Sequence, residues 1–149
     1  MRRAKLKTAV ILLVEDDPDY QRLTQRALKT GGIPNELFVV DDGEQALDYL
    51  YRRGEFADPK LSPRPDLILL DLNLPKLDGR AVLKTIKQDP ELRRIAVVIV
   101  STSSDERDVL LTYDLGVNSY VKKPLQMDGF VKAIEDLRYY WFDVAMLSN

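Results

Sequence analysis

Acidic, hydroxyl and lysine side chains of this 149-residue chain stand directly behind apolar runs. Glu15 and Asp16 follow TAVILLV, and Asp71 follows DLILL. Ser101 and Thr102 follow IAVVIV, and Lys122, Lys123 and Pro124 follow residues 119–121. Carboxylates crowded together repel and raise one another's pKa unless a cation joins them. A lysine is one such cation, and a divalent ion is a stronger one. Mg2+ prefers oxygen ligands, taking one or two carboxylates and several waters. A set of this kind leaves it open positions for a phosphoryl group. Each residue also has a plainer use. Asp17 before Pro18 is a helix cap with no chemical role. Glu15 and Asp16 suit an acidic turn at a helix start, Asp71 a turn before Pro75, Ser101 a cap and Lys123 an exposed surface. Separate stretches of chain ending on the same few chemistries are what the plainer uses leave unexplained.

These residues share a site only if the runs before them are neighbouring strands. Residues 8–14, 66–70 and 95–100 are continuous apolar runs, as a sheet covered on both faces requires, and residues 36–40 and 119–121 are weaker strands. Helical spacing lies between them. Tyr20, Leu23, Ala27 and Leu28 recur before the stop at Gly31-Gly32. A second helix covers about residues 43–53, with Ala46, Leu47, Leu50 and Tyr51 on one side. Asp78-Gly79 opens a third, carrying Val82, Leu83 and Ile86. Asp105 opens a fourth, with Val109, Leu110 and Leu115 as its apolar positions, and Gly116 closes it. The fifth holds Phe130, Ile134, Leu137 and Trp141. Strict alternation predicts an α/β fold: a doubly wound, five-stranded parallel sheet with helices on both faces. In such a sheet ligands bind beyond the carboxyl ends of the strands. Residues 54–65 (GEFADPKLSPRP) interrupt the alternation and are expected as an irregular, solvated connector.

Composition narrows the functions. The length suits one domain with a real core. Lys and Arg number 22 against 24 Asp and Glu, so no nucleic-acid binding by bulk charge is expected. The chain has no Cys and no His, which excludes thiolate chemistry, zinc-thiolate sites, His-ligated metals and a Ser-His-Asp triad. No apolar run is long enough to span a membrane. The basic MRRAKLK start has the wrong flank for a signal peptide. A cytoplasmic protein is expected.

Taken in order, VEDDP, DLILLDLNLPKLDG, VIVSTSS and YVKKP make the chain similar to the receiver domain of two-component response regulators, over about residues 8–141. The resemblance implies a flavodoxin-like strand order 2-1-3-4-5. It implies Asp71 as phosphoacceptor, with Mg2+ (Mn2+ able to substitute) on Asp16, on Glu15 through water, on Asp71 and on the main-chain carbonyl of Asn73. It implies Ser101 and Thr102 at the phosphate, Tyr120 as the aromatic switch, Lys123 contacting acceptor and phosphate, and Pro124 in a cis peptide bond. Glu15 stands where Asp is more frequent, and Ser101 where Thr often is. A narrower resemblance is to the small single-domain regulators partnered with phytochromes. They share the VED start, the lengthened segment before DLILLDLNLP and an extended carboxyl terminus.

The implied partner is a sensor histidine kinase, because this chain has no His to donate the phosphoryl group. On this reading residues 1–149 form one receiver domain, with residues 142–149 as an extension and no effector domain after it. Output is then contact with other proteins, a phosphotransfer protein among them. Tyr139, Tyr140, Trp141 and Phe142 are consecutive, and one helix face cannot bury all four. Aromatics are enriched at interfaces, and the phytochrome-partner regulators pair through the fourth helix, fifth strand and fifth helix. A homodimer using these tail residues is therefore expected. An aspartate-nucleophile phosphatase would need an acid where Asn73 stands. A nucleotide or flavin binder would need a glycine-rich phosphate loop, which this sequence lacks. A scaffold indifferent to phosphate would leave the acidic rim as an idle cost.

Overall fold

The protein is described by a computed structural model covering residues 8–30, 34–102, 105–117, 119–123 and 132. Five strands, β1 (Ala9–Val14), β2 (Asn35–Val40), β3 (Leu67–Leu70), β4 (Ala96–Ser101) and β5 (Ser119–Lys122), form one parallel sheet in the order β2-β1-β3-β4-β5. Among the described residues four α-helices alternate with them: α1 (Pro18–Thr30), α2 (Gly43–Tyr51), α3 (Gly79–Gln88) and α4 (Glu106–Asp114). The expected fifth helical segment, residue 132 apart, lies outside the described residues.

The apolar runs are strands because successive side chains serve opposite cores. Leu12, Val14, Ile68, Leu70, Val97 and Ile99 meet Ala46, Tyr49 and Leu50 of α2 and Val82, Leu83 and Ile86 of α3. Ile11, Leu13, Leu67, Leu69, Val98 and Val100 form the other core, with Ala27 and Leu28 of α1. Full burial of one such side chain contributes about 1.5–3 kcal/mol, so a strand with no polar alternation is stable only between two layers. The register is what positions the site. Val14 pairs with Leu70, Leu70 with Ile99, and Ser101 with Lys122. The carboxyl ends of β1, β3, β4 and β5 are therefore level, and the residues just past them share one rim.

The structure corrects three local expectations. The second helix stops at Tyr51 rather than near residue 53, because Arg52 turns left-handed with φ 53° and caps it through Asp48 and Tyr49 carbonyls. Residues 54–65 are not a merely solvated connector. The buried Tyr49 hydroxyl donates to the Pro63 carbonyl at 2.7 Å, and the buried Ser62 hydroxyl donates to the Phe56 carbonyl at 2.8 Å. Phe56 lies 5.5 Å, centroid to centroid, from the Tyr49 ring, so the segment is pinned to α2. In α4 Leu110 is 63% exposed, and Thr112 is buried with its hydroxyl satisfied by the Val109 carbonyl at 2.9 Å. Thr112 thus takes the inward place expected of Leu110, while Val109 is half-buried and Leu115 packs against the core as expected.

Gly79 fixes the approach of α3 to the end of β3. A Cβ there would fall 2.1 Å from the Asp71 carbonyl oxygen and 2.6 Å from Leu72 Cα, backbone atoms that cannot swing away. Gly79→Ala is expected to lower stability by about 2–3 kcal/mol through overpacking. A urea midpoint that drops with an unchanged slope would agree; an unchanged midpoint would show that α3 is free to back off.

Candidate functional site

Glu15 and Asp71 are buried, Asp16 is exposed, and one carboxylate oxygen from each lies within 4.8 Å of the others. Lys123, 3% exposed, reaches this cluster from the end of β5. Its ammonium donates to Glu15 Oε1 and, at 3.3 Å, to Asp71 Oδ2. The same nitrogen stands 4.0 Å from the centroid of the Tyr20 ring. The Glu15 carboxyl is pushed up to about 7, chiefly by burial and also by the Asp71 charge, against the downward pull of the Lys123 hydrogen bond and charge. With all groups ionised, three carboxylates face one ammonium. The excess is two negative charges, open to solvent on the Asp16 side, and it matches one divalent cation held by oxygen ligands.

Local hydrogen bonds hold each carboxylate in place. The Asp71 N–H donates to the Val14 carbonyl at 3.1 Å, continuing the β1–β3 pairing one residue past the strands. The Asn73 N–H donates to Asp71 Oδ1 at 3.1 Å, which orients the carboxylate. Glu15 Oε2 accepts the Asp17 N–H at 3.2 Å. The Gln21 amide donates to the Glu15 carbonyl at 2.6 Å and to Asp41 Oδ1 at 2.8 Å, tying the acidic turn to α1 and to the segment after β2. Asp17 accepts the Asp19 N–H at 2.8 Å and so is the helix-start residue expected of it.

Ser101 is fully buried at the end of β4, and its carbonyl accepts the Lys123 N–H at 2.7 Å. Thr102 is exposed, and its hydroxyl accepts from the Asn73 side-chain amide at 3.3 Å. Tyr120, in β5, is half-buried and packs against the α2–α3 core. The structure thus brings Glu15, Asp16, Asp71 and Lys123 together and sets Asn73, Ser101 and Thr102 beside them. Pro124 and the run Tyr139, Tyr140, Trp141 and Phe142 lie outside the described residues. Sequence reasoning missed three contributors. Tyr20 is not a core-facing position but lies beside the Lys123 ammonium. Gln21 acts through Asp41, distant in sequence, and Gly79 through close approach to the backbone of Asp71 and Leu72, although the DG pair did mark Gly79 as a helix start.

Comparison with known proteins bears on the family. Residues 11–135 match the response regulator receiver domain. The chain is 46% identical over 138 residues to response regulator Rcp1 of Synechocystis sp., covering 93% of this chain and 92% of Rcp1. The crystal structure of the phosphorylated cyanobacterial phytochrome response regulator RcpA superposes with a TM-score of 0.82 at 45% identity, covering 91% of this chain and 95% of that one. The Mn2+-bound form of Rcp1 superposes with a TM-score of 0.81 at 46% identity, covering 91% and 96%. Fold order, rim chemistry and likeness along nearly the whole chain lead to one assignment: this protein belongs to the response regulator receiver domain family.

Proposed function

We propose that the chain accepts a phosphoryl group on Asp71 from a sensor histidine kinase, a phytochrome by the likeness to RcpA, and signals by phosphorylation-dependent contact with other proteins. The observation that carries this reading is the buried Lys123 ammonium bridging Glu15 and Asp71, with exposed Asp16 beside them. A carboxylate can be a phosphoryl nucleophile. An Asp71 oxygen bonds to phosphorus as the bond from phosphorus to the donor's imidazole nitrogen breaks, and the electron pair leaves with that nitrogen. The transition state is loose and its charge spreads over equatorial oxygens, so fixed cations stabilise it most. Lys123 is one, preorganised by its main-chain bond to Ser101. Mg2+, which Mn2+ can replace, would supply the other from Asp16, Asp71 and the Asn73 carbonyl, with Glu15 acting through water. Ser101 and Thr102 then serve the phosphoryl oxygens, and Tyr120 turns with Ser101 as the switch. The chain is a phosphoacceptor and not a catalyst acting on separate substrates.

Residues 1–149 are read as a single receiver domain. Leu110, Leu111 and Tyr113, exposed on α4, favour a homodimer through α4, β5 and the segment that follows, with Tyr139 to Phe142 included. A phosphotransfer protein is a second class of recipient. Among the described residues no helix is long and apolar enough to cross a membrane, which suits a cytoplasmic setting.

Metal binding can be tested without labelling. At a free concentration about 100 times its Kd, Mg2+ is expected to stabilise the fold by about 2.7 kcal/mol. The Asp16→Asn variant, altered at an exposed side chain, loses most of the rise in thermal midpoint. Equal rises in both proteins would remove Asp16 from the metal site. Incubation with acetyl phosphate and Mg2+, followed by intact mass and sedimentation, tests the function itself. One phosphoryl group and a larger assembly are expected, and an unmodified chain would refute the reading.

A further inference from the structure

Leu23, Ala27 and Leu28 turn α1 toward its core, while Tyr20, one turn earlier, carries its ring to the site. The Lys123 ammonium is almost fully removed from water, so each of its sides needs a partner. Glu15 Oε1 and Asp71 Oδ2 take two directions, and the Tyr20 ring, 4.0 Å away, takes another. An aromatic face attracts a desolvated cation through its quadrupole. Unlike a third carboxylate, it brings no further negative charge to the ammonium.

We infer that Tyr20 is a positioning residue for phosphoryl transfer: its ring holds the Lys123 ammonium beside Asp71 while leaving that charge available to the incoming phosphoryl group. The inference rests on the reading of Asp71 as acceptor. When a phosphoryl oxygen arrives, Lys123 exchanges a carboxylate contact for it and keeps the ring. Tyr20 also lines an open cleft of about 280 Å³ with Asp17, Asp19 and Leu23, so a shorter side chain there admits water toward the ammonium. The phenol hydroxyl has no part in this arrangement, and phenylalanine should replace tyrosine without loss.

The test uses the full chain with Mg2+ and acetyl phosphate, a donor that needs no kinase docked on α1. Tyr20→Leu is expected to slow labelling about fivefold, the scale of one desolvated cation–ring contact. Tyr20→Phe should label within about twofold of wild type, because the ring face is kept. NMR supplies a second readout. The Lys123 ε-methylene protons should be shifted upfield by the ring in wild type and in Tyr20→Phe, and return to the ordinary lysine position in Tyr20→Leu. Wild-type labelling by Tyr20→Leu, equal slowing of both variants, or an unshifted lysine in wild type would overturn the role of Tyr20. Asp71→Asn is run beside them. If it stays unlabelled, any such failure belongs to Tyr20 alone; if it is labelled, the functional reading falls and the inference with it.

Discussion

Replacing Asp71 with asparagine is expected to abolish the acid- and base-labile phosphate that wild type takes up from its kinase or from acetyl phosphate. The amide has nearly the shape of the carboxylate. Its oxygen can still accept the Asn73 N–H that now meets Asp71 Oδ1. What it lacks is a nucleophilic oxygen of full negative charge. The loss should therefore be total rather than graded. It should also occur in a folded protein, because removing the Asp71 charge relieves the repulsion that now raises the Glu15 pKa. Near-ultraviolet circular dichroism should match wild type while the label vanishes. Full labelling of the Asp71→Asn variant would place the acceptor elsewhere.

The second large effect belongs to Lys123→Met. Methionine fills a similar volume but removes the cation that bridges two buried carboxylates, Glu15 and Asp71. Breaking a buried ion pair from one side leaves uncompensated charge and costs about 3–5 kcal/mol. Proton linkage gives the loss a pH signature. The folded chain holds a proton on Glu15 that the unfolded chain releases near 4.5, so this group lowers stability as pH rises from 4.5 and stops doing so above about 7. Without Lys123 the hydrogen bond and charge that pull the Glu15 pKa down are gone, and the fall continues to higher pH. Urea midpoints of the two proteins should diverge further above pH 7 than below it. Labelling should drop at least about tenfold, the equivalent of 1.4 kcal/mol of lost transition-state stabilisation. A variant as stable as wild type, labelled at the same rate, would deny the lysine both roles.

How much of this was legible depended on how local the cause was. The strands could be read because a sheet covered on both faces needs unbroken apolar runs, and Leu67–Leu70 is one. The rim could be read because parallel strands deliver their next residues to one edge, as Glu15 and Asp71 are delivered. The rotation of α4 could not. Its packing involves contacts distant in sequence, among them the bidentate pair of Arg80 in α3 with Asp108, 28 residues on, at 2.8 and 2.6 Å. Thr112 is buried and Leu110 exposed, against their polarity. Residues 54–65 were misread for a similar reason. The buried Tyr49 phenol needed an acceptor, and the segment supplied it at Pro63. Tyr20 has the spacing of a core residue, and only the tertiary structure reveals the lysine beside it.

Chemical trapping addresses the central assignment most directly. Borohydride reduces an aspartyl phosphate to homoserine, and mass spectrometry of the peptides then reports which residue carried the phosphoryl group. Labelling with acetyl phosphate in the presence and absence of Mg2+ should give homoserine at position 71, and only with the metal. Homoserine at position 16, a phosphate that resists borohydride on a hydroxyl side chain, or equal modification of Asp71 without metal would contradict a phosphoacceptor carboxylate organised by a cation and by Lys123.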